Sequence, residues 1–365
     1  GTPDAFSTAA RIGRTALPII ALLSLDASPG EVGILAALSL APGAFFGLLI
    51  GGRIDRAEKR PLLIGANLAR AALLFTVPAA AWLDLLSMAQ LYLVAAAVRM
   101  ATALFQIADN AYLPALIGRK RLLEGNSKLE TTDALAEIGG PSLAGVLIEL
   151  VTAPFVLLFD TLAYLGAAGA LSRIRARETP SVESAPTLLR DIGIGLRAWF
   201  EHPMARPLFL AATYAAFFGG FFSALYLAFC LQVLALSPGV VGLLIGVGGV
   251  GAMAGSLLAR PAILRLGLGP SIIAMAAGSA FAGLLIPLAD GPLWLVLLLL
   301  AANQLFADGF AVAYMIPSAS LWQTVLPLSV LGRARAAIQA MQGALMPLGA
   351  LAGGYLGTVW DVRSA

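Results

Sequence analysis

An all-α membrane protein built from two related halves is the fold class this sequence predicts, on three observations. The 365 residues are 59% hydrophobic and 12% charged, against about 25% charged in an ordinary soluble domain. A soluble fold of this length has no interior for so much apolar side chain, so lipid is the solvent. Eleven apolar stretches are long enough to cross as helices, at about 20 residues each. Finally, Ser28-Pro29-Gly30-Glu31-Val32-Gly33-Ile34-Leu35 returns as Ser237-Pro238-Gly239-Val240-Val241-Gly242-Leu243-Leu244, an offset of 209 residues. Such a repeat marks duplicated halves, and membrane proteins built this way commonly carry a transport site between them.

The first-half spans fall at 6–25, 32–51, 62–82, 88–110, 132–151 and 153–172, and the second-half spans at 207–232, 238–259, 270–289, 292–317 and 334–357. The second and eighth open on the repeated motif. Arg53, Arg56, Lys59 and Arg60 separate the second from the third, and Arg119, Lys120, Arg121 and Lys128 follow the fourth. After the sixth comes the one long polar interval, 173–205, with Arg173, Arg175, Arg177, Arg190 and Arg197 and an amphipathic piece around 188–200. This reads as a linker with a short surface helix. Arg260 and Arg265 follow the eighth span, and Arg333 and Arg335 follow the tenth. The alternate loops carry Asp26, Glu31, Asp84 and Asp290 with almost no basic residue. By the positive-inside rule the basic loops and the linker are cytoplasmic. The expected units are therefore 1–172, the linker 173–205, and 206–365. The offset places a counterpart of the sixth span at 362–381, so a twelfth span is expected past the last residue, and the chain reads as a fragment at both ends.

Several functions are excluded early. The single Cys230 cannot form a disulfide within the chain, and the single His202 cannot build a His-rich metal site. No phosphate-loop motif occurs, no nucleophile–base pair stands out, and no cofactor or metal is expected, so the chain does not read as an enzyme. The basic balance fits loops facing an anionic leaflet and needs no nucleic acid. No ring of repeated charges suggests a channel.

Gly51-Gly52-Arg53-Ile54-Asp55-Arg56, followed by Lys59-Arg60-Pro61, resembles the cytoplasmic signature of the major facilitator superfamily. The resemblance implies a latch of Gly51, Asp55, Arg56 and Arg60, with Asp55 pairing a helix end or an Arg. The second copy, 259–267, keeps Arg260 and Arg265 but has no acid. Gly139-Gly140-Pro141-Ser142-Leu143-Ala144-Gly145 resembles the Gly-Pro-x-x-x-Gly segment of drug:proton antiporters, through Gly140, Pro141 and Gly145. Leu113–Ser127, Phe159–Tyr164 and Ser320–Arg335 look like the macrolide-efflux and enterobactin-exporter branch. This implies a monomeric secondary exporter, multi-pass in a bacterial cytoplasmic (inner) membrane, whose partners are lipid, protons and a small amphipathic substrate.

Charges within spans are costly unless paired or hydrated, and they mark proton and substrate paths. The first half holds Arg11, Arg14, Arg70, Arg99, Asp109, Glu137 and Asp160, whereas no charge occurs between Arg206 and Arg260 and Asp308 is the main acid of the later spans. Glu137, Asp160, Arg99 and Asp308 are the proton-coupling candidates. Arg99 resembles the superfamily's fourth-span Arg, without the usual following Gln and Gly. For Asp160 a structural ion pair or helix-end contact competes, and for Asp308 a structural role does. The seventh span is crowded with rings, and the resemblance gives Tyr214, Phe218, Phe221 and Phe222 a cavity-lining role; lipid or core packing is the alternative. Asn303, Gln304 and Gln342 are polar cavity candidates, with helix bridging as their alternative. The expected activity is proton-coupled efflux of an amphipathic molecule such as a macrolide. A siderophore is the second cargo, and a non-transporting receptor or assembly subunit is the alternative of another class.

Overall fold

The backbone is described over residues 3–54, 57–117, 122–174 and 188–364 of a computed structural model; side chains are described over the same residues except 3–12, 14, 44–54, 110–111, 113–117, 122–131, 133–135, 137–138 and 188–189. Among the described residues the chain is helical, without strands. The first six helices are α1 (Pro3–Ser24), α2 (Pro29–Ile54), α3 (Lys59–Trp82), α4 (Met88–Ile117), α5 (Leu122–Val151) and α6 (Leu157–Arg173), the last entered through a 3-10 turn at Pro154–Val156. The linker holds α7 (Leu188–Glu201). Then come α8 (Ala205–Ala228), prolonged by a π turn at Phe229–Val233, α9 (Pro238–Leu266), α10 (Leu268–Gly283), α11 (Leu293–Val325) and α12 (Leu328–Val359). Among the described residues, six helices are long and apolar enough to cross a membrane by length and composition.

Each expected span is a helix, but the ends differ. α4, α9 and α11 run past their apolar stretches, because backbone hydrogen bonding continues where apolarity stops. α10 is shorter than expected. Past Gly283 the chain switches to tight i→i+3 bonds, Leu284 N–H to Phe281 O, Leu285 N–H to Ala282 O and Ile286 N–H to Gly283 O.

In the first half α1 packs on α5 and α6, α2 on α4, and α3 on α4 and α6; in the second, α8 packs on α12, and α9 and α10 on α11. The halves meet where α2 lies on α12 and where α5 lies on α9. The 209-residue offset turns α2 into α9 and α5 into α12, so these two seams are images of one another. The symmetry reaches single backbone bonds. Ala27 N–H donates to Ala21 O at 3.0 Å, and its counterpart Leu236 N–H donates to Cys230 O at 2.9 Å. Asp26 and Ala235 have φ of 48° and 50°, and Thr152 and Asp361 have 68° and 85°. Both pairs follow a helix end, where a left-handed residue lets the chain close the last carbonyls.

The repeated motif forms the seams. A Cβ on Gly33 would lie 2.7 Å from Ala350 O and 2.8 Å from Gly354 Cα, and one on Gly242 would lie 3.0 Å from Gly145 Cα. Pro29 O sits against Gly354, and Pro238 O against Gly145. Backbones this close leave no volume for a side chain, as in other small-residue membrane contacts. An apolar core runs beneath both seams, including Ile19, Ile20, Leu35, Val156, Val241 and Leu300.

Candidate transport site

The motif lies beside the loops rich in acid, and this end of the molecule is tied together by polar contacts. Gly30 N–H donates to Thr358 Oγ1 at 2.8 Å, Gly239 N–H to Glu149 Oε1 at 3.0 Å, Gln232 Nε2 to Ala27 O at 3.0 Å, and Ser142 Oγ to Gly242 O at 3.1 Å. A cavity of about 600 Å³ opens beside the α5–α9 seam, lined by Ser24, Asp84, Glu149, Thr152, Phe155 and Pro238 among others. Arg363 donates to Asp290 Oδ2 at 3.0 Å and to Ala289 O at 3.1 Å, fastening the end of α12 to the α10–α11 turn.

Farther in, Asp160 is fully buried in the first turn of α6. It faces Gly13 of α1, where a Cβ would collide with Oδ2. One turn later comes Tyr164, whose ring lies 4.4 Å from the Arg70 guanidinium. Arg70, on α3, is also 4.4 Å from the Phe105 ring and donates to Asn67 Oδ1 at 2.6 Å and to Ala66 O at 3.3 Å. The carboxylate, tyrosine and arginine thus stand in one group between α1, α3, α4 and α6. The sequence flags Asp160 and Arg70 as buried charges and spaces Tyr164 one turn after Asp160, but nothing in it brings Tyr164 of α6 and Phe105 of α4 onto Arg70 of α3.

Arg99 and Asp308 are related by the same 209-residue offset. Arg99, on α4, lies against Gly43 of α2, with Nε 2.6 Å from where a Cβ would stand and without a hydrogen-bond partner among the described residues. Asp308, on α11, lies against Gly248 of α9 beside Gln304 and has no ionic partner among the described residues. Opposite charges therefore occupy one place in the two halves, each packed against its own half's seam helix.

The other candidates divide. The Glu137 side chain, Asp55, Arg56 and the Gly51 surroundings lie outside the described residues. Arg60 donates to Leu171 O at 3.1 Å and to Ser172 O, so it holds the carbonyl end of α6, where a cation is favoured. Pro141 and Gly145 sit on the α5 face toward α9, and Pro141 O meets Gly242. Asn303 is buried and donates to Ala282 O at 2.9 Å, bridging α11 to α10, and Gln342 reaches Ala212 O at 3.5 Å, bridging α12 to α8. Gln304 is buried. On α8 the rings form a ladder: Tyr214 and Phe218 lie 4.5 Å apart, Phe218 and Phe221 6.1 Å, and Phe222 stacks on Tyr226 at 5.3 Å. Tyr214, Phe218 and Phe222 are exposed. Phe222 is the counterpart of Gly13, which faces α6, so the ladder's outer rings look toward the side where the first half carries its sixth helix. The backbone carbonyls of Phe217 and Phe221 meet Gly349 and Gly353 of α12. Sequence reading did not single out Glu149 and Thr358; their positions after the offset, 149 and 358, were the available signal.

A helical membrane protein whose duplicated halves meet through glycine seams at one end, with buried charges inside, has the build of a secondary transporter. The sequence matches the Major Facilitator Superfamily over residues 6–350, and the chain belongs to that family. Among solved structures, a bacterial homologue of the iron transporter ferroportin in its inward-facing state superposes with a TM-score of 0.68 at 18% identity, over 98% of this chain and 96% of that one. In the outward-facing state that homologue gives a TM-score of 0.50 at the same identity and coverage. The nucleoside transporter NupG superposes at 0.76 with 12% identity, over 99% of this chain and 92% of its own. A bacterial homologue of the human lysosomal transporter Spinster, inward-facing and unoccupied, gives 0.72 at 14% identity, over 99% and 84%. No match was found among curated proteins.

Proposed function

We propose that this transporter exports an amphipathic small molecule by alternating access, driven by inward movement of protons. The observation that carries the reading is the pair of glycine seams closing the acid-loop end, with the opposite charges of Arg99 and Asp308 farther in. With the basic loops on the cytoplasmic side, a molecule sealed at its acid-loop end faces inward, ready to load from the cytoplasm. The better fit to the inward-facing ferroportin homologue supports that assignment. The units 1–172 and 206–365 would rock about the seams, and α7 would travel with the second because it is bound to α12.

Glu137 and Asp160 are the proposed proton carriers, in keeping with acids set within apolar spans. Asp160 transmits its charge state through Tyr164 to Arg70, and Arg99 and Asp308 sense cargo or charge in their own halves. Protonation and cargo then bias which end is open. Latch residues Gly51, Asp55 and Arg56 would steady the opposite, outward-open state, while Arg60 ties α3 to α6. Tyr214, Phe218, Phe221, Phe222, Gln304 and Gln342 are the proposed cargo contacts. A macrolide is the first cargo to test and a siderophore the second. Radiolabelled macrolide flux in proteoliposomes should rise with an imposed pH gradient, inside-out vesicles accumulating label. Efflux that ignores the gradient and survives both Glu137→Gln and Asp160→Asn overturns the coupling.

A further inference from the structure

The two seams are images of one another in backbone but not in charge, and the difference falls on the helix N-termini that they join. At the α2 end the acid is local. Ser28 N–H and Oγ both donate to Glu31 Oε2, at 2.8 and 2.9 Å, and Glu31 N–H returns a 3.3 Å bond to Ser28 Oγ. This is a capping box, which satisfies the open N–H groups within one chain segment. Among the described residues, the side chain that hydrogen-bonds the α2 N-terminus from the other half is a hydroxyl, Thr358 on Gly30 N–H.

At the α9 end the pattern is inverted. Ser237 still caps, accepting from Val240 N–H at 3.4 Å, but Val240 stands where Glu31 stands in the first copy. The acid comes instead from across the seam: Glu149 of α5, the counterpart of Thr358, accepts the 3.0 Å bond from Gly239 N–H. A Cβ on Gly239 would lie 2.7 Å from the carboxyl carbon and both oxygens, so the whole group rests on the helix end. Each N-terminus thus has one carboxylate, but only that of α9 belongs to the opposite half. A carboxylate at a helix N-terminus gains from both the open N–H groups and the helix dipole. When the halves part, α2 keeps its acid and α9 loses it.

We infer that Glu149 is a charged latch holding the acid-loop end shut, a positioning residue for transport that acts through α9 and not through cargo. This rests on the alternating-access reading above. Among the described residues, Asp84 shares its cavity. A transferred carboxylate makes closure of this end depend on charge at one seam, whereas the α2–α12 seam closes with neutral groups.

The test uses spin labels at Leu85→Cys and Leu288→Cys, both exposed at the acid-loop end, in a Cys230→Ala background. The distance distribution between them reports closed and open populations. Glu149→Thr, which copies the other seam, should raise the open-to-closed ratio about three- to tenfold, the scale of one partly exposed charge-assisted hydrogen bond. Glu149→Thr with Val240→Glu gives α9 its own capping box and restores the helix end without restoring the tie. The latch predicts that this double variant stays shifted toward open. Return of the native distribution would mean that Glu149 only stabilises α9, and would overturn the latch. Two populations that Glu149→Thr leaves unchanged would also overturn it while leaving alternating access intact. A single distance under all conditions, with and without cargo, would overturn both.

Discussion

At the scale of single residues, Gly13 and Asp160 depend on each other. The carboxylate fills the space in which any side chain at position 13 would stand, and it is fully buried. Gly13→Ala should therefore cost about 1–3 kcal/mol of stability, the usual penalty of overpacking. Pairing it with Asp160→Ser should recover at least half of that loss in thermal unfolding in detergent. Additive losses would mean that the two sites do not share one space. This interdependence was half legible. An acid inside an apolar stretch announces itself, so Asp160 stood out in the sequence, but Gly13 is one of many glycines in the chain. Its role comes from α1 lying against α6, and no local pattern encodes that. Arg70 repeats the lesson: Asn67, one helical turn before it, is implied by spacing, whereas the rings of Phe105 and Tyr164 arrive from α4 and α6.

Elements show the same division between what apolarity fixes and what packing adds. The spans were legible because lipid demands apolar length and leaves polar sequence at the ends. The amphipathic linker piece was legible as a helix, but not its attachment. Trp199 is fully buried, donates from its indole N–H to Ala334 O at 2.8 Å, and packs against Phe209 and Trp322 with ring centroids 5.5 and 5.4 Å away. Arg333 and Asp191 add an ion pair at 2.9 Å. The linker helix is thus fastened to the start of α12 and belongs mechanically to the second half. Trp199→Phe should remove about 1 kcal/mol with the hydrogen bond, and Trp199→Ala about 3–5 kcal/mol with the packing. Hydrogen exchange of the α7 amides should accelerate in that order, and equal rates in the two variants would refute the attachment. At the other end, Arg363 clasps Asp290. The Gly291 N–H, and then the Arg363 guanidinium, hold the Asp290 carboxyl below its ordinary range. A depressed value means that the clasp is at full strength above the unfolded carboxylate pKa of about 3.9 and is lost as pH falls through the lower folded value. A spin label at Ser364→Cys should be restrained at neutral pH and freed in acid. With Asp290→Asn it should be freer at both, without that acid transition.

For the whole molecule, the repeat that reads as a duplication in sequence is also the surface on which the halves close. Two seams related by symmetry cannot open independently if each half moves as a rigid body, because a rotation that parts α2 from α12 also parts α5 from α9. Gly33→Val places a branched side chain where even a Cβ would stand 2.7 Å from Ala350 O and 2.8 Å from Gly354 Cα. Local yielding would bend α12 and leave the other seam closed. Rigid halves would transmit the wedge across the molecule. Disulfide formation between Glu149→Cys and Gly239→Cys, at the distant seam, separates these outcomes. Its yield in the Gly33→Val background should fall several-fold against the same cysteine pair with Gly33 intact. The mirror experiment, Gly242→Val with cysteines at Gly30 and Thr358, should give a loss of similar size, because the wedge is the same and only the charge differs. An unchanged yield in both would show that the halves flex at their seams, and the rocking motion would have to be replaced by bending within α2 and α9.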